Sequence, residues 1–142
     1  MTIKLGKYSL ILVSENKIIE SSSNPGLKPL IICIMKWKEK VKNCELHDKV
    51  IGLAAAKAIT HSNMIYKVIT KVVSKKAKEY LKSNKIELIY DKVVNNILNK
   101  DHSNICPMEI KASKYKDDAT FFKDTIEIMQ LKHLVTGPHI LT

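Results

Sequence analysis

Segments rich in β-branched and aromatic residues predict four β-strands. Residues 8–14 and 17–21 are separated by only two polar residues, which predicts a hairpin with a tight turn. In residues 65–73, apolar positions alternate with lysines, as in a strand with one solvated face. Residues 86–90 are a shorter segment of the same kind. The chain is therefore expected to contain a hairpin and two further strands.

Apolar residues spaced three and four positions apart predict helices between and after these strands. Residues 27–41 carry such a stripe with Pro29 near its first turn, although the β-branched residues 31–34 would also suit a buried strand. Residues 50–59 are rich in alanine and follow Asp48, which is a favourable helix N-cap. Further helices are predicted at residues 75–82, at 93–98, from Pro107 onward and at 119–134.

This order of elements predicts an α/β fold. Strands that are followed by helices and then by further strands imply a mixed sheet covered by helices on both faces. We therefore predict a three-layer α/β/α sandwich. A chain of 142 residues suits one domain. We expect that domain to span residues 1–134, with a short tail at 135–142.

The positive charge of the chain does not indicate specific nucleic-acid binding. There are 24 basic and 14 acidic residues, which give a net charge of +10. All the basic residues are lysines, so the bidentate and stacking contacts that arginine makes with bases and phosphates are missing. We expect weak, salt-sensitive adhesion to polyanions but no specific nucleic-acid partner.

Hydropathy and cysteine content predict a protein of the reducing cytoplasm. The longest apolar run, residues 30–35, is far shorter than a membrane span, and no export leader opens the chain. Cys33, Cys44 and Cys106 show no C-x-x-C spacing, which argues against a disulfide framework or a thiolate-rich metal site. The apolar hairpin and the lysine-faced strand would suit a homodimer but do not require one.

The segment NKDHSNICPME, residues 99–109, holds the candidate chemistry. Pro107 suits the first position of a helix, so Cys106 is the predicted N-cap and Glu109 the third helical residue, as in a capping box. Free amides and the helix dipole stabilise a thiolate at such a position, which predicts a reactive nucleophile. The alternative is a thiol that only begins the helix, where serine is commoner.

Three further side chains are candidate partners of Cys106. Asp101 and His102 lie in the polar loop that precedes it, and His102 is a candidate base, although a loop histidine is more often simply solvated. Asp48 is a candidate orienting carboxylate or an ordinary helix cap. Together with Glu109, these residues form the predicted site.

Three segments resemble an uncharacterised prokaryotic family of domains of unknown function. They are GLKPL at residues 26–30, DKVIGLAAAKA at 48–58 and the segment at 99–109 that contains C-P-M-E. The resemblance extends over nearly the whole chain. It implies a cytidine deaminase-like fold, which is an α/β/α sandwich around a mixed sheet.

The resemblance does not imply deamination, because the zinc motifs of deaminases are missing. Such an enzyme needs a His or Cys two residues before a catalytic Glu, and a P-C-x-x-C segment at a helix start. Here His47 is followed two residues later by Lys49, and the helix predicted after Ser74 begins with no ligand. Cys106 supplies one thiol where two are needed. We therefore predict neither a bound zinc ion nor another cofactor.

Two functions remain open for a domain that binds a small molecule. The resemblance implies that Asp48, Asp101 and Glu109 converge with Cys106 at one edge of the sheet, beside helix N-termini. The first function is a metal-independent enzyme in which Cys106 attacks a small, nucleotide-like substrate. The alternative is a non-catalytic ligand-binding or regulatory module on a degenerate deaminase scaffold, in which Cys106 only caps a helix. A lysine-driven nucleic-acid accessory role is the least favoured.

Overall fold

The computed structural model describes residues 3–135, in which five strands form one mixed sheet. The strands are β1 (Leu10–Ser14), β2 (Lys17–Ser22), β3 (Cys44–Ile51), β4 (Ile65–Ser74) and β5 (Glu87–Val94). Their order across the sheet is β2-β1-β3-β4-β5. β1 is antiparallel to both of its neighbours, whereas β3, β4 and β5 are parallel. The carboxyl ends of the parallel strands therefore share one edge with the start of β1.

Five α-helices connect and follow these strands. They are α1 (Lys28–Trp37), α2 (Leu53–Ser62), α3 (Lys75–Ser83), α4 (Pro107–Lys114) and α5 (Asp118–Ile128), and a 3₁₀ turn follows at Lys132–Val135. The N-cap residues of α3 and α5 cap these helices with their own side chains. Ser74 Oγ accepts a hydrogen bond from the N–H of Ala77 in α3, and the Asp117 carboxylate accepts one from the N–H of Thr120 in α5.

α2 is the central helix of the fold. Eight of its ten residues are buried, and a helix that is buried on all sides needs packing partners all round. One side packs against β3 and β4 of the sheet. The other side contacts α4 and α5, where Phe121 is fully buried. The alanines of α2 allow this close approach because their side chains are small.

The order of the layers differs from the predicted α/β/α sandwich. α1, α3, α4 and α5 all contact α2, so the five helices of the described residues lie on one side of the sheet. The layers are the sheet, then α1, α2 and α3, then α4 and α5. Because most residues of α2 are small or apolar, its second side is buried by the last two helices rather than left in water.

Lys57 fixes the end of α4 to α2. This lysine is 5% exposed, and its Nζ donates hydrogen bonds to the carbonyl oxygens of Ala112, at 2.7 Å, and of Tyr115. Cations at a helix C-terminus interact favourably with the carbonyl groups that the helix leaves free. The ammonium also lies 5.7 Å from the centre of the Tyr80 ring. α4 is thereby held in a defined position against the central helix.

β3 is the strand that the sequence pattern missed. The prediction of Asp48 as a helix N-cap is wrong, because Asp48 lies inside β3 and α2 begins only at Leu53. β3 places the polar residues His47 and Asp48 at consecutive buried positions. This pair breaks the alternation of apolar and polar residues by which a strand is predicted.

The predicted hairpin and the helical interpretation of the segment after it are confirmed. Glu15 and Asn16 both have positive φ, 51° and 64°, as the tight turns of hairpins require. α1 covers the β-branched residues 31–34, and it ends at Trp37 rather than at residue 41.

Two predicted helices differ in the structure. The segment 93–98 is not a helix, since β5 continues to Val94 and Leu98 then forms an isolated bridge with Ile105. α5 ends at Ile128 and not at residue 134. Residues 136–142 of the predicted tail lie outside the described residues. Within residues 3–135, no helix combines the length and the apolar character that crossing a membrane requires.

Candidate functional site

A cavity of about 460 Å³ lies at the edge of the sheet where β3 ends. The starts of three helices border it, because Leu27 precedes α1, Gly52 precedes α2 and Cys106 precedes α4. Most of its walls are apolar. These walls include Leu27, Ala54, Ala55, Ile97, Leu98 and Met108.

Asp48 is the buried acid of this cavity. Its side chain is on β3, whose neighbour β1 places Leu10 opposite it, and the residue is only 9% exposed. Its Oδ1 lies 3.5 Å from the N–H of Val50. No ion pair within residues 3–135 involves Asp48. Burial raises the pKa of this carboxyl group to about 7, an effect that the backbone N–H groups of Val50 and Lys49 partly offset.

The Glu109 carboxylate caps the N-terminus of α2. Its Oε1 accepts a hydrogen bond from the N–H of Leu53 at 2.6 Å, and its Oε2 accepts one from the N–H of Ala54 at 2.9 Å. The capping-box interpretation is wrong, because Glu109 caps α2 and not its own helix. Burial raises the pKa of Glu109, while these two N–H groups and the charge of Lys76 lower it.

Gly52 is needed where Glu109 approaches the chain. A Cβ atom at this position would lie 2.2 Å from Oε1 of Glu109. The backbone of Gly52 is extended, with φ of −104° and ψ of −176°, a conformation that any residue adopts. The requirement for glycine is therefore steric, and the carboxylate occupies the space that a side chain would take.

Cys106 lies at the N-cap position of α4, as the sequence predicted. Its N–H donates to the carbonyl oxygen of Ile97 at 2.9 Å, and its side chain makes no capping hydrogen bond. The residue is half-buried and borders the cavity. Cys33 and Cys44 are buried in the core, and burial raises the pKa of both thiols, that of Cys33 to about 12. Of the cysteines, Cys106 is the accessible one.

Asp101 and His102 lie outside the cavity. Both are exposed, in a loop that closes on itself because the backbone N–H of Ser103 donates to both Asn99 Oδ1 and Asp101 Oδ1. The hydrogen bonds from Ser103 lower the pKa of Asp101. His102 has a positive φ of 61°, and no hydrogen bond within residues 3–135 joins it to Cys106. The structure thus brings together three of the five predicted residues, Asp48, Cys106 and Glu109, and leaves the predicted base outside.

Sequence reasoning missed the apolar walls and the role of Gly52. Two alanines of α2, Ala54 and Ala55, line the cavity. Their small side chains were the available signal, because they leave open space next to a helix start. Nothing in the sequence indicates that Glu109 reaches α2, since its partners are more than fifty positions away.

The residues at this edge do not suit zinc. Zinc sites use three or four Cys, His, Asp or Glu side chains in a tetrahedral arrangement. Within residues 3–135, no three such side chains are grouped as metal ligands. Cys106 is the single thiol of the cavity, and the Glu109 carboxylate is already bound to two N–H groups of α2. We therefore derive no chemistry from a metal at this site.

Comparison with known proteins gives a family but no activity. A family model described as "Domain of unknown function (DUF1893)" matches residues 2–129. The crystal structure of a DUF1893 family protein from Thermotoga maritima is similar to the chain, with a TM-score of 0.76 and 24% sequence identity over 86% of this chain and 81% of that chain. At this identity, the likeness shows a shared fold. No curated protein matches the chain.

Proposed function

Because the chain belongs to the DUF1893 family, a domain of unknown function, its role has to be inferred from the cavity, and we propose that it is a small-molecule-binding domain. The observation that carries the proposal is the cavity at the sheet edge, bordered by the starts of α1, α2 and α4. Its volume of about 460 Å³ falls in the ~300–1,000 Å³ range of small-molecule pockets. Ligands of open α/β sheets bind at the carboxyl ends of strands beside helix N-termini.

The mixture of apolar walls and few polar groups supports binding rather than a purely structural void. Empty spaces inside proteins destabilise the fold, because the surrounding side chains lose packing contacts. Here the small residues Ala54 and Ala55 line the space and leave it open. An ionisable side chain, Asp48, borders the same space. Such a pocket suits a ligand with an apolar body and a polar group that fixes its orientation.

The fold supports the second function that the sequence left open, a non-catalytic module on a degenerate deaminase scaffold. The mixed sheet with parallel β3, β4 and β5 suits a cytidine deaminase-like fold, although the five helices of the described residues cover only one of its faces. The zinc ligands of such enzymes have no counterpart among the residues that border the cavity. We infer that the cavity of a degenerate scaffold retains the capacity to hold a small molecule after loss of the metal-dependent reaction.

The proposal is tested by blocking the cavity at Cys106. Indole, a neutral bicyclic probe, is expected to shift the backbone amide NMR signals of Gly52, Ala54, Ala55 and Met108. Alkylation of Cys106 with N-ethylmaleimide should abolish these shifts, because the adduct occupies the same space. Cys33 and Cys44 are buried and should not react in the folded protein.

The Cys106→Ser variant is the matched control. It should bind indole like the unmodified protein, and treatment with N-ethylmaleimide should not change its binding. Amide shifts confined to surfaces away from the cavity would contradict the proposal. Equal indole binding by the alkylated and the untreated protein would contradict it as well.

The second candidate is an enzyme with Cys106 as nucleophile, and it is favoured by the position of Cys106 and Asp48 on one cavity. In such a reaction, Sγ forms a bond to an electrophilic carbon of the bound molecule. The thiol proton passes to the Asp48 carboxylate, and an electron pair moves to the heteroatom bonded to that carbon. Asp48 replaces His102 as the base here, because His102 does not border the cavity. A covalent adduct that forms on Cys106 only when Asp48 is present would favour this candidate.

A further inference from the structure

We propose that the ligand of the cavity carries a cationic group with several N–H donors, such as an amidinium or guanidinium, which binds the Asp48 carboxylate. This inference rests on the proposed function, because it specifies the chemistry of the same cavity. The ligand class follows from three features of Asp48: its burial, its lack of a charged partner and the apolar walls around it.

Burial of a carboxylate that has no charged partner raises the free energy of the folded protein. Asp48 is 9% exposed, and the groups that stabilise its charge are backbone N–H groups, those of Val50, at 3.5 Å from Oδ1, and Lys49. Buried carboxylates in proteins are normally paired with a cation or fully hydrogen-bonded. No ion pair formed within residues 3–135 satisfies Asp48. The cavity that it borders is the space from which a partner can reach it.

The second acid of the cavity is not available to a ligand. Both oxygens of Glu109 are bound by N–H groups, those of Leu53 and Ala54. A cationic ligand would have to break these bonds to use Glu109, whereas Asp48 has unused acceptor capacity. The two acids therefore have different roles. Glu109 joins α4 to the start of α2, and Asp48 binds the ligand.

The apolar walls next to Asp48 determine the geometry of the donor group. An ionised carboxylate accepts two parallel N–H bonds from a planar, forked cation, and such charge-assisted pairs are stronger in surroundings that exclude water. A planar amidinium on an apolar body fits the combination of Asp48 with Leu27, Leu98 and Met108. Lys49 and Lys100 also border the cavity, but neither of them forms an ion pair with Asp48 within residues 3–135.

The inference is tested by comparing benzamidine with benzamide, which has a similar size and shape but is neutral. Both are titrated into the protein at pH 8, with amide NMR shifts as the readout. We expect benzamidine to bind at least tenfold more tightly than benzamide. The Asp48→Asn variant should lose at least tenfold in benzamidine affinity while its benzamide affinity stays within twofold. Asp91→Asn, at an exposed position of β5, is the matched control and should change neither.

The outcomes separate this inference from the proposed function. Equal binding of both probes to the cavity of the unmodified protein would overturn the amidinium inference and leave the binding function standing. An unchanged benzamidine affinity in Asp48→Asn would also overturn it. Failure of both probes, and of indole, to shift any cavity amide would overturn both proposals. The comparison of the two probes on the unmodified protein needs no variant, so it stands even where a substitution perturbs folding.

Discussion

Replacement of Asp48 by asparagine is expected to stabilise the protein at pH 8. Burial raises the pKa of Asp48 from about 3.8 to about 7, so the folded state binds the proton more tightly than the unfolded state. Stability then falls as the pH rises from about 4 to about 7, and it stays low above that range. A difference of about three pH units at ~1.4 kcal/mol each gives ~4 kcal/mol as an upper bound. Solvent in the cavity reduces this figure, and we expect a gain of about 2 kcal/mol or more.

Urea unfolding at several pH values measures this effect. Asp48→Asn should exceed the unmodified protein most at pH 8, and its advantage should shrink as the pH falls toward 3, below the pKa of the unfolded carboxyl group, where Asp48 becomes protonated in both states. Asp91→Asn serves as the control for removal of an exposed acid. A variant that is less stable than the unmodified protein at pH 8 would contradict the account, and so would a constant difference across the pH range.

A higher stability of Asp48→Asn at pH 8 would distinguish Asp48 from a residue with a purely structural role. A side chain that is kept although its replacement stabilises the fold is typical of binding and catalytic sites, where function opposes stability. A carboxylate retained for packing alone would show the opposite sign. The stability measurement thus tests the same residue as the ligand experiments, by an independent property.

Substitution of Gly52 by alanine is expected to destabilise the protein by about 3 kcal/mol. The added Cβ would lie 2.2 Å from Oε1 of Glu109, so the carboxylate must leave the N–H groups of Leu53 and Ala54. Each hydrogen bond to a charged group contributes ~1.5–3 kcal/mol, and the start of α2 then loses its cap. The extended backbone of Gly52 adds no strain of its own.

A double-mutant cycle with Glu109→Ala identifies the cause. In the Glu109→Ala background, the clash is absent, and Gly52→Ala should cost less than about 1 kcal/mol. Chemical denaturation of the four proteins gives the coupling free energy between the two positions. An equal cost of Gly52→Ala in both backgrounds would show that Glu109 is not the side chain that requires glycine.

The sequence predicted local structure well where the pattern of side chains was regular. The hairpin turn at Glu15 and Asn16, α1 and the start of α4 at Pro107 all follow local rules. β3 was missed because buried polar residues, His47 and Asp48, break its alternation. Asp48 also borders the cavity. The strand that the sequence pattern missed is therefore a strand that carries a residue of the candidate site.

Only part of the candidate site could be predicted from the sequence, because its contacts depend on tertiary packing. Cys106 and Glu109 were identified from one short segment, in which their spacing suggests a capping box. The real partners of Glu109 are the N–H groups of α2, and this contact depends on how α4 packs on α2. Tertiary packing of this kind leaves no trace in the local pattern. Asp101 and His102 were predicted as partners of Cys106, but hydrogen bonds within their loop hold them at the surface, where they do not border the cavity.

The most direct test of a ligand site at Asp48 is the titration of its carboxyl carbon by NMR, with and without benzamidine. In the free protein, the midpoint is expected near pH 7, because the carboxyl group is buried. Saturating benzamidine should lower the midpoint by at least one pH unit, since the cation stabilises the ionised form. A midpoint near 4 in the free protein, or one that benzamidine leaves unchanged, would contradict the role of Asp48 as the group that holds the ligand.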